Sequence, residues 1–240
     1  MRDAQRVWLT PAYVLHHYAY RDTSRILEAF TAEHGRLSLF ARGVAGPKSK
    51  LGAVLRPFQR LLISWSGRSD ACRLVGAEVD GPAASLPPSR LMSGFYLNEL
   101  LLKLTERGDP NPRVFACYAE ALQALAAQPD QEACLRRFEK RLLDELGYGL
   151  QLTCTEEGRP IEPTMYYRIE PQGGPRACVA EAPGAVYGRS LAELDAEAFS
   201  DARSLRDAKR VLRAAIDSCL DGRPLNSRQI LAQLHRGRQA

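Results

Sequence analysis

Five strand-like segments occupy the first 80 residues of this 240-residue chain, and no helix long enough to connect parallel strands lies between them. Turn-type sequences separate the segments, among them Arg21-Asp22 and Glu33-His34-Gly35. The predicted strands are residues 13–20, 24–31, 36–42, 58–66 and 73–79. Short strands in such close succession predict a small closed or nearly closed barrel. The OB-fold is the commonest barrel of this kind that also binds single-stranded nucleic acid.

Helical patterns follow the Pro87-Pro88 pair, which ends the strand-like part of the chain. Pro112 fits the first turn of one helix, and Asp130 and Ser227 fit the N-caps of two others. The predicted helices are residues 89–104, 113–127, 131–146, 204–220 and a short C-terminal stretch from residue 227. These segments indicate a helical bundle.

A segment rich in glycine and proline, residues 149–188, interrupts the helices and contains strand-like pieces at 165–169 and 178–181. The sequence therefore predicts an α+β protein, with an N-terminal OB-fold β-barrel followed by a helical bundle that carries a small β-containing insertion. The predicted domains are residues 1–80 for the barrel and 81–240 for the helices, interrupted by the insertion at 149–188.

The net charge of +5 comes entirely from the first third of the chain. Residues 1–80 carry twelve Lys and Arg against seven Asp and Glu, whereas residues 81–240 carry twenty-one of each. No acidic residue lies between Arg36 and Arg60. One-sided positive charge is typical of a surface that binds a polyanion such as nucleic acid. The alternative is a solvated face that only keeps the protein in solution.

We expect a nucleic-acid interface on the barrel, because single-strand binding needs cations beside aromatic side chains that stack on bases. Alternation in residues 36–42 places Arg36, Phe40 and Arg42 on one face, opposite the leucines. Phe40 either stacks on a base or packs against the rest of the protein, and Trp65 is expected to fill the barrel. The candidate DNA-binding residues are Arg21, Arg25, Arg36, Phe40, Arg42, Lys48, Lys50 and Arg56.

A second candidate site lies in the predicted helix 131–146, where four cations surround a phenylalanine. A groove built from such residues fits an acidic peptide with an apolar end. The same pattern also fits a plain amphipathic helix with charged outer positions. The residues concerned are Arg136, Arg137, Phe138, Lys140 and Arg141.

The sequence offers no motif for catalysis or for a cofactor. Residues 43–49 resemble a phosphate-binding loop, but the spacing is one residue too short and includes a proline. The acidic pairs Asp144-Glu145 and Glu156-Glu157 fit solvated surface better than a metal or acid–base pair. We therefore expect no enzymatic activity and no cofactor.

No stretch approaches the roughly 18 apolar residues of a membrane-spanning helix. The basic residues at the N-terminus are not followed by the apolar segment of a secretory signal. We expect a cytoplasmic, nucleoid-associated protein with no membrane partner.

Seven short motifs follow one another along the chain in a specific order and spacing. They are RILEAFTAEHGRL at 25–37, FARG at 40–43, RPF at 56–58, YLNELL at 96–101, LRRFE at 135–139, LGYG at 146–149 and GRPLNSR at 222–228. With these motifs the chain resembles, nearly end to end, the RecO family of bacterial recombination-repair mediators.

The resemblance implies an N-terminal OB-fold, a helical domain and a small insertion that binds zinc through four cysteines in many relatives. It also implies that the protein binds single- and double-stranded DNA and anneals complementary strands without catalysing a reaction. The implied protein partners are the acidic C-terminal tail of single-stranded-DNA-binding protein (SSB) and RecR, with which members of the family help to load RecA onto SSB-coated DNA. The cluster from Arg136 to Arg141 is the candidate site for the SSB tail.

This sequence departs from the zinc-binding pattern of those relatives. Only Cys154 and Cys178 stand in the insertion, and Glu157 occupies the place of a second ligand. Because two thiolates cannot complete a tetrahedral site, we predict no zinc. Asn226 stands where relatives often have a lysine, which weakens the case for a basic C-terminal run.

A different class of function also fits the sequence. In this alternative the chain is a helical protein–protein adaptor that binds the SSB tail, and its barrel is purely structural.

Overall fold

The computed structural model describes residues 6–67, 72–82, 85–169 and 173–237, with five strands first and helices and a small sheet after them. The elements of the first part are β1 Arg6–Tyr20, β2 Ser24–Thr31, β3 Gly35–Ala41, α1 Lys50–Val54, β4 Arg60–Ser66 and β5 Cys72–Val79. After a 3₁₀ turn at Pro88–Arg90 come α2 Leu91–Leu104, α3 Pro112–Ala127, α4 Gln131–Glu145, β6 Tyr166–Ile169, β7 Pro175–Cys178, β8 Val186–Tyr187, α5 Gly188–Asp195, α6 Ala202–Cys219 and α7 Asn226–Gly237. The predicted α+β class is confirmed.

The first five strands form a closed barrel in the order β1-β2-β3-β5-β4. Neighbouring strands are antiparallel except β3 and β5, which pair in parallel at Leu39 with Cys72 and at Phe40 with Arg73. The predicted OB-type barrel is therefore confirmed. Alternate residues of each strand fill its interior, and Trp65 lies among them with 4% of its surface exposed, as expected.

Helix α1 lies in the connection between β3 and β4 and packs Leu51 and Val54 against the barrel core. The glycines and lysines of residues 43–52 predict a flexible basic loop, and this prediction is wrong from Lys50 onward. Ser49 caps the helix by accepting a hydrogen bond from the backbone N–H of Gly52 at 3.0 Å. A helix of five residues is too short to give a periodic pattern, so the sequence did not reveal it.

The described chain forms two compact units. The first contains residues 1–127 and 225–240, which include the barrel, α2, α3 and α7. The second contains residues 128–224, which include α4, α5, α6 and the small sheet with strand order β7-β6-β8. The domain boundary near residue 80 stays a prediction.

Three details of the predicted helical part differ from the structure. Helix α5 at Gly188–Asp195 was not predicted, and the final helix begins at Asn226 instead of being capped by Ser227. The strand expected at 178–181 is displaced to Pro175–Cys178. That strand is an edge strand of only four residues, so pairing with β6 sets its position more than its own sequence does.

Asn98 of α2 ties the helices of the first unit to the barrel. Its side-chain amide donates to the backbone carbonyl of Leu15 at 2.8 Å, and it accepts a hydrogen bond from the hydroxyl of Tyr118 at 2.5 Å. Leu15 lies at a bulge in β1, between Val14 and His16, where the ladder with β2 is interrupted. The buried amide thus satisfies a backbone group at the bulge.

The next residue of α2, Glu99, caps the C-terminal helix α7. Its carboxylate accepts hydrogen bonds from the backbone N–H groups of Asn226 and Ser227, both at 2.8 Å, and from the hydroxyl of Ser227. Burial would raise the pKa of Glu99, but the hydrogen bonds from Ser227 and Asn226 and the charge of Lys103 together lower it below its ordinary value. In its charged form, the carboxylate of Glu99 therefore stabilises the start of α7.

We predict that Glu99→Gln loosens α7 at neutral pH by about 1 kcal/mol, the usual contribution of a helix cap. Because the folded-state pKa is lowered, this contribution is complete above the ordinary carboxyl pKa. It disappears as the pH falls through the folded-state pKa. Hydrogen exchange of the α7 amides at neutral and acidic pH measures the effect, with the exposed Glu106→Gln as the control. Equal loosening at neutral and strongly acidic pH would contradict this account.

Candidate nucleic-acid interface

A row of four outward-facing side chains crosses the barrel from β1 to β5. The strand register places Tyr18 opposite Ile26, Ile26 opposite Phe40, and Phe40 opposite Arg73. Tyr18 is 52% exposed, and Arg73 is also exposed. Together with Tyr20 and Arg21, which follow on the chain, this row is called the barrel platform below.

Two aromatic rings of the barrel platform, Tyr20 and Phe40, contact each other at right angles, and a cation lies over one of them. The ring centres of Tyr20 and Phe40 are 5.5 Å apart at an interplanar angle of 87°. The guanidinium carbon of Arg21 lies 5.4 Å from the centre of the Tyr20 ring. Tyr20 remains 39% exposed. The platform therefore offers aromatic rings for base stacking beside positive charge.

Four of the predicted cations lie on the connection between β3 and β4, at residues 42–59. All four are exposed, and none has an acidic neighbour in that segment of sequence. Arg56 donates to the carbonyl of Ala53 at 2.8 Å, which orients its side chain along α1. These cations are Arg42, Lys48, Lys50 and Arg56.

Arg36 faces outward like Phe40, as the alternation predicts, but its guanidinium is committed within the protein. It forms an ion pair with Glu28 at 3.0 Å and donates to the carbonyl of Thr105 at 3.0 Å, and its side chain is only 14% exposed. The Glu28 carboxylate also accepts from Ser38 and, at 2.6 Å, from Arg107. The guanidinium of Arg36 therefore stabilises the fold through these contacts. A contact of Arg36 with DNA stays a prediction, and the burial of the side chain does not favour it.

Arg25 is separated from the barrel platform because it lies on the other face of β2. It is opposite Ala41, whose side chain belongs to the barrel core, and it is half-buried. Burial lowers the pKa of His17, and the positive charges of Arg25 and His16 lower it further. Arg25 thus stands beside a histidine that favours its neutral form.

Three residues of the barrel platform, Tyr18, Tyr20 and Arg73, are not among the contacts predicted from sequence. An aromatic cluster at residues 13–20 is visible in the sequence and could have suggested the two tyrosines. Arg73 joins the row only through the parallel pairing of β3 with β5, which strand alternation does not reveal.

In the second unit, helix α4 divides the predicted peptide-binding cluster between its buried and exposed sides. Phe138 is 2% exposed and Arg136 is 3% exposed. Arg136 forms a buried ion pair with Glu139 at 2.5 Å, three residues further along the helix. Neither side chain reaches the surface, so we leave Arg136 and Phe138 out of the site proposed below.

The other three cations of α4 reach the surface of that unit, and each has an internal partner. The Nε–H of Arg141 is shared between the two carboxylate oxygens of Glu197, at 3.0 and 2.8 Å, and the Nη2 of Arg141 lies 2.8 Å from Oε2. Arg137 donates to the backbone carbonyl of Glu197 at 3.0 Å and lies 5.9 Å from the ring centre of Phe199. Lys140 pairs with Asp144 at 2.9 Å. These residues form a basic surface that already holds a carboxylate and a phenyl ring.

The described residues of the insertion include two cysteines, fewer than the four ligands of a structural zinc site. Cys154 lies in a bridge with Pro160 and accepts a hydrogen bond from the side-chain amide of Gln151, whereas Cys178 ends strand β7. Among the described residues, no three His, Cys, Asp or Glu side chains group so that they could hold a metal ion. Two cysteines do not fit the four-ligand tetrahedral site that a structural zinc requires.

Comparison with known proteins identifies relatives across most of the chain. Residues 2–79 match the family model described as Recombination protein O N terminal, and residues 87–229 match Recombination protein O C terminal. A protein of Dechloromonas aromatica named DNA repair protein RecO is 42% identical over 230 residues, which cover 93% of this chain and 95% of the relative. A protein of the same name from Coxiella burnetii is 43% identical over 229 residues, which cover 95% of this chain and 99% of the relative.

None of the helices in the described part of the chain has the length and apolar character needed to cross a membrane.

We predict that Arg36→Gln destabilises the protein by about 2 kcal/mol, because it removes two charge-assisted hydrogen bonds from a buried network. Arg42→Gln removes the same charge from an exposed position of the barrel and should change the free energy of unfolding by less than about 0.5 kcal/mol. Urea unfolding followed by circular dichroism compares the two variants. Equal stability of both variants would show that the Glu28 network does not stabilise the fold.

Proposed function

Because the chain belongs to the RecO family and so acts in DNA repair and recombination, we propose that it works by binding DNA without making or breaking covalent bonds. It binds single- and double-stranded DNA and anneals complementary strands. With RecR, it helps to load RecA onto DNA that is coated with SSB. These partners follow from the family resemblance, and the surfaces described above support the DNA and SSB contacts.

The observation that carries the proposal is the barrel platform. Its three aromatic rings are those of Tyr18 and Tyr20 on β1 and of Phe40 on β3, on either side of β2, and Arg21 and Arg73 flank them. Bases of a single strand stack on such rings irrespective of sequence, and the cations contact the phosphates. The face formed by β2 and β3 is also the usual nucleic-acid-binding face of an OB-fold.

The exposed cations of the connection 42–59 extend the proposed DNA contact. Arg42 follows β3 directly, and Lys48, Lys50 and Arg56 lie on or beside α1. Neutralising phosphates reduces the repulsion between two strands, so complementary bases can pair while the backbones are bound. This is the physical basis that we propose for annealing.

We propose that the acidic tail of SSB binds the outward side of α4, through the half-buried residues Arg137, Lys140 and Arg141. The support is that these side chains already hold a carboxylate, Glu197, and approach the ring of Phe199. An acidic peptide with an apolar end presents the same two kinds of group. Such a peptide competes with Glu197 for Arg141.

We predict that Arg21→Gln combined with Arg42→Gln weakens binding of a single-stranded oligonucleotide about tenfold at moderate salt, because two phosphate contacts are lost. The slope of log affinity against log salt should become shallower by about 1.4, since each single-strand phosphate contact contributes about 0.7. Fluorescence anisotropy at several salt concentrations measures both quantities.

The matched control is Arg159→Gln combined with Arg189→Gln, which removes the same charge from exposed positions of the second unit. An equal loss of affinity in both double variants would show that only the change in net charge matters. Full affinity in the barrel variant would favour the adaptor, in which the barrel is purely structural.

We predict that Arg137→Ala combined with Arg141→Ala weakens binding of an SSB-tail peptide at least tenfold and leaves single-strand binding within about twofold, because peptide carboxylates lose two cationic partners. Glu197→Gln should act in the opposite direction, because it releases Arg141 for the peptide. Titration of labelled peptide and labelled oligonucleotide against each variant tests both expectations. A parallel loss of peptide and DNA binding would show that α4 contributes only general electrostatic attraction.

A further inference from the structure

Helix α6 of the second unit presents a row of four arginines on its exposed side. Its buried side chains include Ala208, Val211, Leu212 and Ile216. Spacings of three, four and three residues place the four arginines on one stripe of the opposite side, about 15 Å long at 1.5 Å per residue. They are Arg203, Arg206, Arg210 and Arg213, all of them exposed.

Two further arginines face the same region from the small sheet. Arg168 of β6 lies directly opposite Arg176 of β7, and both side chains are exposed. Like charges directly opposite each other destabilise a sheet, so this pair gains stability when an anion lies against it. Arg168 and Arg210 line a single cleft of about 420 Å³, which connects the sheet pair to the arginine row of α6.

Carboxylates balance only part of this charge. Asp207 lies 4.0 Å from Arg203 and 3.8 Å from Arg210, and Asp217 lies 3.7 Å from Arg213. Asp207 is 7% exposed and accepts hydrogen bonds from the backbone of Tyr187 and the hydroxyl of Ser190, so it also serves the fold. Glu156 pairs with Arg176. Within the described helix α6, two carboxylates, Asp207 and Asp217, thus serve a row of four arginines.

Two of the arginines are held in place before any ligand arrives. The guanidinium of Arg203 lies 4.3 Å from the ring centre of Tyr187 and donates to the hydroxyl of Tyr166 at 2.9 Å. Arg210 donates to the carbonyl of Ala185 at 2.6 Å. Side chains that are already ordered lose less conformational entropy when they bind an anion.

We propose that the arginine row of α6, with Arg168 and Arg176, is a second nucleic-acid surface that binds the phosphate backbone. A row of charges along 15 Å of helix matches a ligand whose negative charges repeat along a line, as phosphates do. The cleft beside the row is lined by aliphatic side chains such as Leu150, Ile169 and Val211. This aliphatic lining provides no platform for base stacking, and the ring of Tyr187 is covered by the guanidinium of Arg203. The surface therefore contacts backbone and not bases.

This surface goes beyond the proposed DNA binding by the barrel, because it belongs to the other compact unit. A chain with one single-strand platform and one backbone surface can hold two nucleic-acid segments at once. The α6 surface then captures the second segment, and the barrel holds the first.

The test uses Arg206→Gln combined with Arg213→Gln in the full chain. These two arginines are chosen because Arg203 and Arg210 also hold the fold through Tyr166 and Ala185. Protein is bound to an immobilised homopolymer oligonucleotide, and retention of a second, labelled homopolymer of the same base is measured, so that the two strands cannot pair. The control is Arg159→Gln combined with Arg189→Gln, and circular dichroism verifies that each variant is folded.

We expect the α6 variant to bind the immobilised strand normally and to retain about tenfold less of the second strand, as expected for two lost phosphate contacts. Unchanged retention would overturn the proposal, and so would an equal loss in the control variant. Loss of binding to an acidic peptide with normal retention of the second strand would also overturn it, and would identify α6 as a protein-binding surface.

The barrel variant, Arg21→Gln with Arg42→Gln, separates this proposal from the proposed function. If the barrel binds the first strand, the barrel variant loses affinity for the immobilised oligonucleotide. Its residual binding of the labelled oligonucleotide falls further when Arg206→Gln and Arg213→Gln are added to it. If the barrel variant binds normally, the barrel proposal fails. The effect of the α6 substitutions on second-strand retention then still tests the α6 surface by itself.

Discussion

The carboxylate of Glu28 is buried on the outer face of β2, where it accepts hydrogen bonds from Arg36 and Ser38 of β3 and from Arg107 of the connection between α2 and α3. A buried carboxylate must be paired, and this one uses cations of the first unit to satisfy its charge. The same connection covers the edge of β3, because the backbone N–H of Gly108 donates to the carbonyl of Arg36 at 3.0 Å. The barrel face next to this network is left open, and there the outward side chains are aromatic rings and cations that can bind a ligand.

Strand alternation was enough to predict the barrel and the inside position of Trp65, because burial on one face imposes a period of two. It could not distinguish Arg36 from Phe40, which face the same way and differ only in what lies across the strands and helices from them. The same limit applies to α4, where Arg136 and Arg137 are adjacent in sequence but only Arg137 reaches the surface. Partners distant in the chain decide these outcomes, and a single sequence does not reveal them.

The motifs that carry the family resemblance have identifiable physical roles in this chain. In YLNELL, Asn98 satisfies the backbone at the β1 bulge and Glu99 caps α7. In LRRFE, Arg136, Phe138 and Glu139 are buried, whereas Arg137 is half-buried and donates to the backbone of Glu197. Residues common to a family therefore include many that hold the fold. Residues that contact DNA have to be identified from exposure and charge.

We propose above all that the barrel binds single-stranded DNA through phosphate contacts beside stacked bases. Fluorescence anisotropy of a labelled oligonucleotide with the unmodified protein, titrated at several salt concentrations, tests it most directly. With four or more phosphate contacts, the plot of log affinity against log salt should be linear with a slope of about −3. Negligible binding at low salt, or an affinity that does not change with salt, would contradict the claim.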